Sequence, residues 1–439
     1  MCGLVGFVSH NKEEGLISKL TRSLSHRGPD ESDYSIIEVD NYFVHLGSTR
    51  LSIVGQDLGK MPMSDNERNH LIYNGELYDL EKIRSQISKK ITTTSDTYHL
   101  FEFLKKFKEN KLNQLNGMFA FGFFDSGEKS ILLGRDKLGI KPLYFMQTKE
   151  FPLIFCSEIK PLLSFKFSNG EVRESEIESY LMFGGINKFS NLVTDIHTIQ
   201  PGGYLKWNTK KTIESGYFIP EKNYEENNLN LENLLATVID DQLKADVNVD
   251  LLLSGGIDST IIAYITRKIL NKNVKAYSLS FSNNKFDEAN KAASISKELK
   301  IDHQIINFNV ENNNEIIDEL INILPEPVAD PSIVPTYYLN KFVSRDTKAV
   351  ISGDGADELF AGYDWYRSLV VSPYLPKRVE NFFYLYSKIY KQFNDDRNID
   401  LNSKFKLFFS GQSSNAASKI LHWQNTFKLF DNKHQEKIF

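Results

Sequence analysis

The chain has 439 residues, of which 41% are hydrophobic and 25% charged, and its net charge is -5. That length accommodates two or three domains with full cores. The balance gives no basic footprint for nucleic acid, no apolar run approaches the ~20 residues of a membrane span, and two cysteines, Cys2 and Cys156, cannot build a disulfide framework or a Cys-rich zinc site. The composition is that of a globular protein without a leader pattern, which places the expected compartment in the cytoplasm.

The chain opens Met1-Cys2-Gly3-Leu4-Val5-Gly6-Phe7. A small residue at position 2 permits removal of the initiator methionine and leaves Cys2 first. A thiol beside its own free α-amine is a nucleophile with a built-in base, because that amine titrates near ~7.7–8. Further on stand His26-Arg27-Gly28-Pro29-Asp30, Arg50-Leu51-Ser52-Ile53-Val54 and Tyr73-Asn74-Gly75-Glu76-Leu77-Tyr78. Ser95-Asp96-Thr97, Gly117–Phe121 and Arg135–Tyr144 complete this set. Alternating apolar runs predict short strands at 4–8, 43–46, 70–73, 118–125, 130–134 and 142–146. Helical periodicity covers Leu77–Ser88 and Asp96–Phe107, with Ser95 as N-cap of the second. Each polar residue also has a plain structural reading. Asn74-Gly75 is the commonest hairpin turn pair, Arg50 suits a surface ion pair and Asp96 suits a helix cap. His26–Asp30 and Arg135–Tyr144 read as scaffold, since a cysteine with its own amine needs no histidine.

After Pro201-Gly202-Gly203-Tyr204-Leu205 the composition turns polar over Asn208–Asn230, which reads as a linker. From Leu231 helices alternate with apolar strands. The predicted helices are 231–243, 258–270, 286–299, 313–323 and 335–344; the predicted strands are 249–253, 274–281, 301–308 and 348–352. That rhythm belongs to a parallel, doubly wound sheet. Ser254-Gly255-Gly256-Ile257-Asp258-Ser259 follows one strand and opens a helix, a geometry that aims backbone N–H groups at a phosphate. It has neither a Walker ending nor a dinucleotide fingerprint, and an ordinary Gly-rich turn is the alternative. Ser352-Gly353-Asp354-Gly355-Ala356-Asp357-Glu358 follows another strand. Three carboxylates in five residues there suit either magnesium with ATP phosphates or a solvated acidic turn.

Together these motifs resemble the glutamine-hydrolysing asparagine synthetase family. Residues 2–208 resemble its class II glutamine amidotransferase domain, 209–230 a linker, and 231–439 its ATP-pyrophosphatase-type synthetase domain. The resemblance implies an α/β multidomain protein: an N-terminal-nucleophile α/β/β/α sandwich, then a doubly wound parallel-sheet domain with a partial helical extension. It makes Cys2 the nucleophile on glutamine and Asn74 and Gly75 the oxyanion hole, an effect typically worth ~3–4 kcal/mol per donor. Arg50, Leu51, Ser52, Ile53, Val54, Glu76 and Asp96 become the glutamine pocket. Arg50 faces the α-carboxylate and Asp96 the α-amine.

In the second half the resemblance assigns ATP to Leu252, Ser254, Gly255, Gly256, Asp258, Ser259, Leu279, Ser352 and Gly353. It assigns Mg2+ to Asp258 and Asp357, and formation of an acyl-adenylate to Asp354, where some members have Glu. Glutamine, ATP and aspartate are then the small-molecule partners, and a homodimer or a complementing chain is the expected protein partner. Between Tyr363 and Phe439 nothing resembles the family's Glu-Xaa-Arg-Xaa-Pro-Phe-Leu-Asp segment, so the synthetase half is expected to be incomplete. Two other readings stand beside the first: amidation of another carboxylate, and a glutaminase-only or non-catalytic subunit.

Overall fold

The computed structural model describes residues 1–371 and 374, except 56–57, 67, 88–90, 166, 187–189, 211–212, 219–229, 282–287, 309–312 and 325. Among the described residues the strands form two six-stranded sheets and one four-stranded sheet. The first sheet runs across His197–Thr198, Tyr144–Met146, Leu153–Cys156, Gly3–Ser9, Tyr42–Arg50 and Glu31–Val39. The second runs across Ile213–Tyr217, Gly203–Asn208, Ser130–Arg135, Gly117–Asp125, His70–Leu77 and Met63–Ser64.

Strand alternation explains how the two stack. Leu4, Val8, Val44 and Leu46 of the first sheet meet Ile72, Ala120, Phe124, Ile131 and Leu133 of the second in one dry cluster. The outer face of the first sheet, with Val5 and Phe7, packs on Ile17 and Leu20 of helix Glu14–Ser23 and Ile159 and Leu162 of helix Ile159–Ser164. The outer face of the second, with Leu71, Tyr73, Phe119 and Phe121, packs on Leu100, Phe103 and Leu104 of helix Asp96–Phe107. Helix, sheet, sheet, helix is the α/β/β/α sandwich. Phe7, Phe103, Phe119 and Phe121 are fully buried in these layers, each phenylalanine contributing about 1.5–3 kcal/mol.

The third sheet is parallel throughout, in the order Asp302–Asn307, Lys275–Ser280, Val249–Leu252, Ala349–Ile351. Leu251, Ala276 and Ile351 face Ile239, Ala263, Ile265 and Ala292 from three helical segments. Leu252, Tyr277, Leu279 and Val350 face the helix Ile333–Val343 on the other side. Both faces are covered, as a doubly wound sheet requires. Its order reverses between Val249–Leu252 and Ala349–Ile351, which is where such sheets bind ligands.

Most element boundaries fall close to expectation, and Asp96–Phe107 and Asn313–Ile323 coincide. Three elements differ in kind. The expected helix from Leu77 starts at Leu80, because Leu77 still pairs with Gly117 as strand. The expected helix 258–270 is α-helical to Tyr264 and π-helical over Ile265–Ile269. Within the expected linker, Ile213–Tyr217 is a strand on Gly203–Asn208, so the sandwich extends past residue 208. Its polar, half-exposed sequence is what an edge strand shows to water, and that hides it from a hydrophobic pattern. The rest of that linker and most of the expected helical extension lie outside the described residues.

The chain divides into two compact units: Met1–Glu176 with Ile186–Pro327 and Ser332–Ile351, and Ile177–Gly185 with Val328–Pro331 and Ser352–Phe439. The first holds all three sheets. In the second, Ala329 N–H donates to the Gly184 carbonyl at 3.0 Å, and the helices Ala356–Phe360 and Asp364–Val371 follow. Among the described residues no helix is long and apolar enough to cross a membrane.

Candidate active site

Cys2 sits at the start of the first sheet's central strand, and each of its groups is addressed. Met1 still precedes it, so its nitrogen is an amide that donates to Asn74 Oδ1 at 3.1 Å. Its carbonyl accepts from Arg27 Nε at 3.0 Å, and its thiol points at the Leu51 carbonyl 4.0 Å away. Burial pushes the thiol's pKa up, a rise that a backbone hydrogen bond of Leu51 and the charge of the chain's terminal amine partly counter. A buried thiol of this kind stays protonated until a base takes its proton.

Asn74 is the side chain that meets the Cys2 backbone. It lies within strand His70–Leu77, not in a turn, opposite Ala120. With Oδ1 committed to Cys2, its buried Nδ2 has no partner among the described residues. A buried amide N–H left unpaired costs about 1–3 kcal/mol, and this one belongs to the side chain that holds the Cys2 N–H. Gly75 is required by close approach: a Cβ would lie 2.3 Å from the Met118 carbonyl oxygen.

The other pocket residues are packed around this pair. Asp96 begins the helix capped by Ser95, whose Oγ accepts from Tyr98 N–H. Its carboxylate is buried and accepts from Tyr73 Oη at 3.0 Å and from the N–H groups of Leu77 and Thr97. Burial raises the pKa of Asp96, the hydrogen bonds opposing it. Burial, and next the Asp96 charge, push Glu76 up to about 8. Arg50 is buried, with Nη1 on Glu31 at 3.2 Å and Nη2 on the carbonyls of Val54 and Gly55. Its guanidinium thus shapes loop 51–55. A cavity of about 240 Å³ is lined by Leu51, Val54, Glu76 and Met118 on the sandwich side and by Val249 and Ile351 of the parallel sheet on the other.

Several further residues hold this arrangement in place, some from the motifs read as scaffold and some from positions without a local signal. Arg27 bonds Cys2 and pairs at 2.9 Å with buried Glu158, whose carboxylate also meets His26 Nε2 at 2.8 Å. The His26–Asp30 motif thus fastens the backbone of Cys2, a scaffold role. Thr49 Oγ1 and Ser157 Oγ accept the N–H groups of Gly3 and Leu4. Lys141 is buried near Glu76 and Cys2, and burial lowers its pKa.

The Ser254 loop follows strand Val249–Leu252. Gly255 has φ +82°, and Ala292 N and Lys291 Cβ lie 3.0 Å from where a Cβ would stand, so the turn needs glycine. Ser254 Oγ meets Ser259 Oγ at 3.0 Å and accepts from Gly256 N–H at 3.2 Å, closing the loop on itself. The helix Ile257–Tyr264 has no side-chain cap, so its first-turn N–H groups face outward with the positive end of the helix dipole. Leu252 and Leu279, at the carboxyl ends of adjacent strands, both pack against Tyr277, Ile306 and Val343. Asp258 lies in the first helical turn, and its carboxylate takes no partner among the described residues.

In the second unit, Ser352 Oγ donates to Asp354 Oδ2 at 2.9 Å, and Gly355, at φ +88°, starts the helix Ala356–Phe360. The Asp357 carboxylate has no partner among the described residues. Gly362 folds back on this residue: its N–H donates to the Asp357 carbonyl at 3.0 Å. No group of three or more His, Cys, Asp or Glu gathers in a metal-holding arrangement among the described residues.

Residues 1–218 match the glutamine amidotransferase domain family, and residues 230–437 match the asparagine synthase family. Glutamine-hydrolyzing asparagine synthetase 1 of Bacillus subtilis (strain 168) is 30% identical over 392 residues, which cover 84% of this chain and 60% of that protein. The putative glutamine-hydrolyzing asparagine synthetase 2 of Methanocaldococcus jannaschii is 29% identical over 407 residues, covering 83% and 76%. The amidase chyE of Penicillium rubens is 28% identical over 421 residues, covering 85% and 60%. The chain therefore spans less than two thirds of the first of these relatives. With a thiol-bearing sandwich followed by a doubly wound sheet with a glycine loop, and matches in that same order, the chain belongs to the glutamine-hydrolysing asparagine synthetase family.

Proposed function

We propose that this chain forms an amide from a carboxylic acid, ATP and the ammonia of glutamine, with aspartate as the acceptor. The observation that carries this reading is the unpaired, buried Nδ2 of Asn74 beside the Cys2 thiol. Once Met1 is removed, the Cys2 α-amine takes the thiol proton. Sulfur then attacks the glutamine side-chain carbonyl, and Asn74 Nδ2 with the Gly75 N–H holds the resulting oxyanion. On collapse the Cys2 ammonium returns its proton to the departing nitrogen, so that ammonia leaves and a glutamyl thioester remains, which water hydrolyses to glutamate. Arg50 and the loop 51–54 receive the α-carboxylate of glutamine, and Glu76 and Asp96 its α-amine.

In the other half, the Ser254 loop with the N-terminus of helix Ile257–Tyr264 receives the ATP phosphates, and Leu252 and Leu279 the adenosine. Ser352 and Gly353 belong to the same reading. In this reading Asp258 and Asp357 would hold Mg2+, which when bound would neutralise charge on the departing pyrophosphate. The aspartate side-chain carboxylate attacks the α-phosphorus, giving β-aspartyl-AMP and pyrophosphate, with Asp354 serving this step. Ammonia then displaces AMP. The cavity from Leu51 to Ile351 supports a sheltered route, since ammonia in neutral water becomes mostly ammonium, which has no lone pair to attack with. The domain division keeps the order amidotransferase, linker and synthetase (231–439), with the first boundary moved from 208 past strand Ile213–Tyr217. A cytoplasmic location and a homodimer or complementing chain belong to the same reading. A second reading keeps the same chemistry with a carboxylate other than aspartate as acceptor.

The test is pyrophosphate release from the processed chain with MgATP, aspartate and either glutamine or ammonium chloride, for wild type and Cys2→Ala. Wild type should respond to both nitrogen sources. Cys2→Ala should respond only to ammonium, with glutamine-dependent release falling at least ~10³-fold. Undiminished glutamine-dependent release in Cys2→Ala would remove Cys2 from the mechanism. Release without aspartate dependence would shift the acceptor to another carboxylate.

A further inference from the structure

Loop 51–55, which the proposed function uses to hold glutamine, is fastened from outside the sandwich at two points. At the first, Gly55 N–H donates to Asp246 Oδ2 at 2.8 Å, and Asp246 N–H donates to the Ile53 carbonyl at 2.9 Å. Asp246 lies between helix Leu231–Gln242 and strand Val249–Leu252. At the second, Lys348 Nζ meets Asp30 Oδ2 at 2.7 Å, and that same oxygen accepts the Ser52 N–H at 2.8 Å. Lys348 stands immediately before strand Ala349–Ile351. Burial raises Asp30, but Lys348 and the Ser52 N–H outweigh it and hold the carboxyl below its usual range.

The loop has little freedom apart from these ties. Gly55 has φ +67°, and a Cβ there would come within 2.5 Å of Ser95 Cβ. From inside, Arg50 holds the carbonyls of Val54 and Gly55. The outer ties therefore act on Ser52 N–H, Ile53 carbonyl and Gly55 N–H, three backbone groups of one five-residue wall. Asp246 and Lys348, which hold them, lead into the two strands where the parallel sheet reverses its order. They stand 191 and 318 positions along the chain from their partners.

We propose that Asp246 and Lys348 are positioning residues for glutamine, setting the shape of the Cys2 pocket from the ATP-binding half. This rests on the reading of that pocket as a glutaminase site. Neither residue touches Cys2 or Asn74, so the effect falls on capture of glutamine, not on the chemical step. The Asp246 tie is a charge-assisted bond to backbone and is the stronger; the Lys348 pair is half exposed and the weaker.

The test is glutamate release from glutamine by the processed full chain, with KM and kcat separated for Asp246→Ala, Asp246→Asn, Lys348→Ala and Lys348→Arg. Asp246→Ala should raise KM about tenfold with kcat within about twofold, and Lys348→Ala should raise it about threefold. Asp246→Asn keeps an acceptor for Gly55 N–H and Lys348→Arg keeps the cation, so both should stay near wild type. Unmoved KM in both alanine variants would overturn the proposal, as would a loss confined to kcat, or an Asp246→Asn as impaired as Asp246→Ala. Should Asp246→Ala fail to fold by circular dichroism, Asp246→Ser and Lys348→Ala decide the matter. A wild-type chain that releases no more glutamate than Cys2→Ala would instead overturn the glutaminase reading itself, and the positioning role with it.

Discussion

Around Cys2, contacts arrive from positions 27, 51 and 74, with Thr49 and Ser157 holding the next two residues, whereas the Ser254 loop draws its bonds from within Ser254–Thr260. The first pocket is buried and its carboxyls are displaced upward by desolvation; the second stands partly in water, with Ile257 77% exposed. One site is a product of long-range packing and the other of local chain geometry. Disturbing each should therefore fail in a different way. A local change at the Ser254 loop should be felt at that loop alone, while the Cys2 pocket should respond to groups spread over much of the chain.

The largest local effect is expected at Gly255. A side chain there is forced into the left-handed region at a cost of about 1–2 kcal/mol, and its Cβ meets the Lys291–Ala292 segment. Gly255→Ala should weaken ATP binding by about tenfold or more, since ~1.4 kcal/mol is tenfold in Kd. Calorimetric titration with ATP checks this, and glutamine hydrolysis by the same variant should be unchanged. Equal affinity for ATP would mean that the turn is not the phosphate cradle.

A smaller, graded effect is expected from Glu76. Its folded pKa of about 8 lies above the ordinary carboxyl value, because burial and then Asp96 penalise its charge. The linkage is that of a raised group: the stability it contributes is complete in acid and is lost as pH rises through about 8. Glutamine brings an ammonium to this site and favours the ionised carboxylate. The KM for glutamine should therefore fall about three- to tenfold as pH rises from about 6.5 to about 8, and Glu76→Gln should flatten that profile. An unchanged profile in the variant would place the titration elsewhere, with the Cys2 amine as the first candidate.

The same contrast decides which features are legible in the linear sequence. The Ser254 loop is legible because strand, glycines and helix start are consecutive, and the fold keeps them so. Ser95 is legible as a cap for the same reason, its Oγ accepting from Tyr98 N–H. Asn74-Gly75 is ambiguous in sequence, since the dipeptide suits a hairpin; only pairing with Ala120 and Phe119 shows it to be strand. Glu158, Asp246 and Lys348 carry no local mark of the pocket, because their roles depend on partners 131 to 318 residues away. An exposed aspartate in a loop has no periodicity, and an edge strand such as Ile213–Tyr217 shows water a polar face.

If the orphaned Asn74 amide awaits an oxyanion, Asn74→Ala is the variant that tests it most directly. The measurement is steady-state glutamine hydrolysis by the processed chain, wild type against variant, with folding checked by thermal melting. The kcat should fall by about 10²–10³-fold with KM within a few-fold, as for loss of one oxyanion donor. A kcat within about twofold of wild type would contradict the role and leave the unpaired Nδ2 without a part in catalysis.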